Sequence, residues 1–137
     1  MSEAPVAQFW FAATALPEHI DELGHVNNKV YVAWAEEAGV RHWRAFATPA
    51  EQAQYVWVAA RFEMDFLRET KLGETLRVET WLGELRGARF DRHVRILGAD
   101  GKERARAKTT WALLDAVKRR PARVPIELAE RFARTVC

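Results

Sequence analysis

Cysteine is nearly missing from this chain: of 137 residues one is Cys, at position 137. A lone thiol forms no intramolecular disulfide, which fits a reducing, cytoplasmic setting in which burial alone holds the fold. No Cys/His spacing of the zinc-binding kind occurs, and nothing asks for a metal or an organic cofactor. No apolar run approaches the length of a membrane span. The first apolar stretch follows Glu3 with no Lys or Arg before it, so no secretory signal is expected. There is no G-x-S-x-G elbow, no phosphate-cradling glycine loop, no internal repeat and no low-complexity linker.

What is present is apolar and aromatic. Residues of hydrophobic type make up 49% of the chain and six are tryptophan, enough for a sizeable core in one domain spanning 1–137. Tryptophan in that number also suggests a large interface. Charge is distributed unevenly. Residues 1–40 hold six acids against Lys29, whereas residues 86–123 hold twelve Lys or Arg against four acids. A basic half of this kind points to an anionic partner without naming it.

Along the chain, Gln8 to Ala15 reads as a strand, and Pro17, Asp21 and Gly24 mark a loop. Asn27 or Asn28 is placed to cap a helix that runs to about Phe46 and stops at Thr48-Pro49. Val30, Tyr31, Val32, Trp34, Ala35, Ala38, Val40, Trp43 and Phe46 cover most of that helix, so it should be enclosed nearly all round. Four strands follow: Tyr55 to Leu67, Thr75 to Leu85, Arg89 to Leu97, and Lys102 to Ala116 after an Asp100-Gly101 turn. In the last, Ala105, Ala107, Thr109, Trp111 and Leu113 form a core face, and Arg104, Arg106, Lys108 and Thr110 a wet one. A short helix, Pro125 to Thr135, closes the chain. The expected fold is α+β: an antiparallel sheet of about five strands, β-α-β-β-β-β with the last four in meander, wrapped around the long helix. An open sheet edge and surplus aromatics predict self-association.

The stretch D-E-L-G-H-V-N-N-K-V-Y-V-A-W, from Asp21 to Trp34, carries the chemistry. Asp21 has the bland reading of a loop aspartate capping a turn. Beside the start of an enclosed helix, however, a carboxylate can attack a carbonyl carbon or take a proton from water. First-turn amides would then hold the oxyanion. His25 is either a proton shuttle or, with somewhat more weight, a residue whose ring fixes the loop backbone. Tyr31 and Trp34 share a helix face; core packing is the default, with pocket lining as an addition. Glu36 and Glu37 read as surface or dimer-contact charges.

This stretch resembles the motif of the 4-hydroxybenzoyl-CoA-type thioesterases, a hotdog-fold family, and the pattern extends over essentially the whole chain. The resemblance implies that Asp21 is the catalytic carboxylate and that the backbone amide of Asn28 polarises the substrate carbonyl. Some members have His where this chain has Asn28. The plant acyl-carrier-protein branch reads D-x-N-x-H-V-N-N, matched here by Asp21, His25, Val26, Asn27 and Asn28, with Leu23 in place of its asparagine. The resemblance further implies a pocket between two protomers, to which the strand around Arg61, Glu63 and Asp65 contributes. It also places CoA-phosphate contacts just before a C-terminal proline, at Lys118 and Arg120.

The basic segment K-R-R-P-A-R-V-P adds Arg119 and Arg123, with Arg86 and Arg89 as weaker candidates of the same kind. Guanidinium and ammonium groups suit the phosphates of coenzyme A. A solvated charge run is the plain reading, and a nucleic-acid face is disfavoured by the small net charge and the lack of a reading helix. The function expected is an acyl-CoA thioesterase acting as a homodimer or homotetramer, without nucleic acid or membrane span. A non-catalytic acyl-CoA-binding sensor is the alternative.

Overall fold

Residues 6–134 are described by the computed structural model of the chain. Strand β1 (Phe9–Thr14) leads through a single 3₁₀ turn, Pro17–His19, and a tight loop into helix α1 (Asn28–Phe46). A short helix α2 (Pro49–Gln54) precedes β2 (Tyr55–Phe66), β3 (Thr75–Arg86), β4 (Arg89–Leu97), β5 (Glu103–Asp115) and helix α3 (Ile126–Phe132). The strand limits fall within two residues of those expected, because Gly73, Gly87 and Gly98 to Gly101 interrupt the period-2 pattern at the turns. Gly101 adopts φ 78°, the left-handed conformation that an Asp-Gly turn needs. The final helix is shorter than expected, and position 135 lies outside the described residues, as does Cys137.

The strands form one antiparallel sheet in the order β1-β3-β4-β5-β2. This corrects the four-strand meander. Only β3, β4 and β5 run as one, whereas β2 pairs with β5 and lies at the far edge. After Phe66 the chain crosses the end of the sheet through residues 67–74 and lays β3 beside β1. That crossing is pinned from below: Leu67 and Arg68 amides donate to the Arg104 carbonyl, and the Gly73 amide to that of Ala15. Neighbouring strands in sequence pair by default, and only such long-range anchoring overrides the default.

Helix α2 is a second correction. Thr48 stops α1 and also starts α2 by a reciprocal cap: its Oγ accepts from the Glu51 amide at 3.1 Å, and its own amide donates to Glu51 Oε1 at 2.8 Å.

Helix α1 packs on β1, β3 and β4. Tyr31, Trp34, Ala35 and Ala38 meet Phe11, Leu76, Val78, Val94, Ile96 and Ala107 in one apolar cluster. A second cluster gathers Leu113, Val124, Leu128 and Phe132 around Trp43, Phe46 and Trp57 at the helix's C-terminal end. The expected all-round enclosure is not met within one chain: Ala33, Glu36 and Val40 are exposed, since α3 covers only the last turns. Arg104, expected on the wet face of β5, is buried beneath the crossing segment, where it reaches the Glu69 carbonyl at 2.9 Å and Glu74 Oε1 at 3.2 Å.

Candidate active site

The loop before α1 is pinched shut by an antiparallel bridge between Ile20 and Val26. Within it the Asp21 amide donates to the His25 carbonyl, and the Gly24 amide donates to the Asp21 carbonyl. Gly24 has φ 84°, so the chain doubles back where an L side chain would be strained. Asp21 Oδ1 accepts from the Leu23 amide at 2.9 Å, which fixes the carboxylate's orientation. Nothing among the described residues engages Oδ2. Asp21 itself is half-exposed.

Asn27 caps α1. Its side chain accepts from the Lys29 amide at 2.9 Å, its carbonyl accepts from Val30, and its own amide donates to the His19 carbonyl. Two of the first three helix amides are thereby satisfied. The remaining one, on the exposed Asn28, has no acceptor among the described residues. An unpaired N–H at the positive end of a 19-residue helix is a ready donor for a developing negative charge.

His25 is partly buried, with Nδ1 3.5 Å from the Val26 carbonyl and Nε2 3.9 Å from Glu69 Oε2. Both nitrogens thus face the loop and its neighbour. Tyr31 is closed off, 2% exposed: its hydroxyl donates to the Arg68 carbonyl at 3.0 Å and lies 2.7 Å from Thr70 Oγ. Burial pushes the Tyr31 phenol above its ordinary value. Trp34 is buried in the same cluster, edge-on to His19.

Thr70 and Glu69 were not legible as site residues. Thr70 is fully buried and its carbonyl accepts from the Val26 amide at 2.8 Å. It therefore holds the Asp21 loop and Tyr31 at once, across 39 or more residues of sequence that no local pattern bridges.

The remaining candidates lie elsewhere. Arg61 and Glu63 are exposed on the edge strand β2, just past a bulge between Ala59 and Arg61, and pair with each other at 3.0 Å. Arg86, Arg89 and the segment 118–123 gather at the end of the sheet opposite the Asp21 loop. The Val124 amide donates to Gly87, Leu113 to Ala88, and Ala122 to Leu113, stitching the β3–β4 turn to that segment. Asp115 shapes the turn, its Oδ1 accepting from the Val117 and Lys118 amides; the Lys118 amide foremost holds its carboxyl below the ordinary range. Arg119 takes φ 57° there.

Lys118, Arg119, Arg120 and Arg123 are exposed and have no carboxylate partner among the described residues, and the same is true of Arg89. Arg86 differs. Its fork is bound to Asp91, Nη2 to Oδ1 and Nη1 to Oδ2, both at 3.2 Å, with Glu84 at 3.0 Å. A cavity of about 700 Å³ is at this same end, and Asp21, His25 and Asn28 do not line it. No three His, Cys, Asp or Glu among the described residues group as metal ligands, and no helix among them is long and apolar enough to cross a membrane.

Residues 15–132 match the thioesterase-like superfamily. No curated protein sequence matches the chain. Among solved structures, a thioesterase from Thermus thermophilus complexed with coenzyme A and zinc is 26% identical. It aligns with a TM-score of 0.77 over 90% of this chain and 95% of that one. A 1,4-dihydroxy-2-naphthoyl-CoA thioesterase from Synechocystis is 17% identical, with a TM-score of 0.76 over 91% and 94% of the two chains. A probable thioesterase from Escherichia coli is 22% identical, with 0.77 over 93% and 98%. With a match across nearly its whole length and the expected sheet around a long helix, the chain belongs to the thioesterase-like superfamily and has the hotdog fold.

Proposed function

We propose that this chain hydrolyses acyl-CoA thioesters, with Asp21 as base or nucleophile and the Asn28 amide as oxyanion donor. The class of reaction, thioester hydrolysis, follows from the family. The observation that carries the rest is the open amide of Asn28 on a helix start that Asn27 otherwise satisfies, seven residues after a carboxylate with one free oxygen. Water adds to the thioester carbon as Asp21 takes its proton, and the oxyanion rests on the Asn28 N–H at the positive helix end. Collapse expels the CoA thiolate, which takes up the proton. One preorganised donor of this kind is worth about 10²–10³ in rate. If Asp21 instead attacks directly, water resolves the resulting anhydride to the same products.

The Asp21 loop and the free cations sit at opposite ends of one sheet, and a two-fold assembly reconciles them. Strand β2 is twelve residues long, has a free edge, and exposes Val56, Val58, Phe62 and Phe66. Pairing two β2 edges antiparallel lays the Phe66 end, next to the Asp21 loop, beside the partner's Tyr55 end, next to its 118–120 turn. Carboxylate and amide from one protomer then meet phosphate-binding cations from the other. Arg61 and Glu63 fall at the seam. Phosphate contacts from exposed Lys118, Arg119, Arg120 and Arg123 suit coenzyme A.

Thiol release from a panel of acyl-CoAs tests this. Wild type should hydrolyse at least one, and Asp21→Asn should lose about 10²-fold or more while keeping its fold. An Asp21→Asn protein of full activity would remove the assignment. A wild type that binds coenzyme A yet hydrolyses nothing would establish the sensor reading instead.

A further inference from the structure

The cavity at the C-terminal half of α1 holds a buried cation, Arg92, that no carboxylate among the described residues pairs with. Arg92 on β4 is 4% exposed. One of its nitrogens, Nη1, makes both of its hydrogen bonds, to His42 Nδ1 at 3.0 Å and to Thr80 Oγ at 2.9 Å. Arginine only donates, so His42 accepts through Nδ1 and is the Nε2–H tautomer; burial pushes its pKa down to about 3, so it adds no charge. Thr80 in turn donates to the His93 carbonyl at 2.8 Å. The arrangement locks Arg92 in place and leaves the Nε–H and both Nη2 hydrogens with no acceptor among the described residues.

Burial brings the Arg92 guanidinium down to about 9, which still leaves it cationic at neutral pH. No carboxylate among the described residues pairs with it. The two acids on the cavity lining, Glu36 and Glu130, are exposed and make no ion pair with it. A buried charge without a counter-charge costs several kcal/mol.

A second donor stands beside it. The indole Nε1 of Trp111 is buried and has no hydrogen-bond acceptor among the described residues. Arg92 and Trp111 face the same spot above Gly39: a Cβ placed there would lie 3.2 Å from Arg92 Nε and 3.8 Å from Trp111 Cζ2. The missing side chain keeps that spot clear. Both residues line the cavity, whose other walls include Trp43, Trp57, Leu82, Phe90, Leu128 and Phe132. Its volume of about 700 Å³ is in the range of small-molecule sites.

We propose that this cavity binds an organic carboxylate with an aryl or alkyl body, its oxygens received by the free donors of Arg92 and the indole N–H of Trp111. The shared chemistry is an anionic head at the cavity floor and an apolar tail along aromatic walls. Two sources supply it: the distal carboxylate of a bound acyl group, or a free acid. Binding of a free acid does not depend on Asp21, so this inference and the hydrolysis reading fail separately.

The test is calorimetry of the full chain with 4-phenylbutyrate and with 4-phenylbutanol, its uncharged counterpart, at pH 7. Wild type should bind the acid at least tenfold more tightly, and Asp21→Asn should bind it equally well. Arg92→Met should lose that preference, by about 10–100-fold for the acid, and leave the alcohol unchanged. Trp111→Phe keeps an aromatic ring without the N–H and should weaken the acid several-fold. If Arg92→Met does not fold, Arg92→Lys, which keeps charge but not the fork, takes its place beside Trp111→Phe. Suberyl-CoA and octanoyl-CoA hydrolysis by the same variants separates the sources. A loss in Arg92→Met confined to suberyl-CoA assigns the acyl group, and no such loss assigns the free acid. No acid binding at millimolar concentration, or equal affinity of wild type for acid and alcohol, overturns the proposal.

Discussion

Tyr31 Oη lies 2.7 Å from Thr70 Oγ, and through that contact the first turn of α1 is tied to the segment that crosses the end of the sheet. The same threonine's carbonyl holds Val26 and, with it, the loop that presents Asp21. Because the Tyr31 hydroxyl donates to the Arg68 carbonyl, it accepts from Thr70. Replacing Tyr31 with Phe strands a buried hydroxyl and a carbonyl. The expected loss is about 1–3 kcal/mol in a urea melt with unchanged m value.

The Asn28 amide admits an unusually clean substitution. Position 28 is the first residue of α1, where proline is well tolerated, and Asn27 at φ −65°, ψ 141° already has the extended backbone that a following proline requires. Asn28→Pro should therefore melt close to wild type and yet lose about 10²–10³ in kcat relative to Asn28→Ala, which drops the same side chain but keeps the N–H. An Asn28→Pro enzyme with undiminished kcat would place the oxyanion elsewhere.

The cations divide by whether they are already engaged. Lys118→Ala and Arg120→Ala should each raise KM for an acyl-CoA by about 3–10-fold with kcat retained, and the effect should fade as salt is added. Arg86→Ala should leave KM nearly unchanged, since its guanidinium serves Asp91. The readout is KM at two ionic strengths.

Asp91 supplies the pH dependence. Arg86 foremost, with a Thr110 hydroxyl at 3.1 Å, holds its carboxyl below the ordinary 3.8 despite burial. A folded-state value below the unfolded one stabilises the protein above the unfolded value. That contribution disappears as pH falls through the folded one. The stability gap between wild type and Asp91→Asn should be full at neutral pH and close below about pH 4, in melts taken across that range.

Much of the architecture could be read from the residues because its determinants are local. Gly73, Gly87 and Asp100-Gly101 punctuate the strands, and Asn27 announces α1 through a side chain that reaches two residues ahead. The Asp21 turn is local as well. What escaped reading is decided at a distance. Nothing within residues 55–66 says that their partner is β5 and not β3; anchors at Arg104, Ala15 and Thr70 decide it. Nothing local marks Arg92 for burial; Thr80 and His42, twelve and fifty positions away, enclose it. Helix α2 is a different case. Thr48 and Glu51 spell a reciprocal cap within four residues, and the stop signal at Thr48-Pro49 masked the start.

The two borders of the sheet are unequal. β1 offers six residues, with the Trp10 ring roofed by the Arg77 guanidinium at 4.0 Å, whereas β2 offers twelve. A strand that long, left open, would recruit chain after chain. Engaged once about a symmetry axis it is used up, and the short, cation-shielded borders left at either side give a third copy little to join. In the pairing proposed above, growth ends at two copies, and any larger assembly would form through the faces.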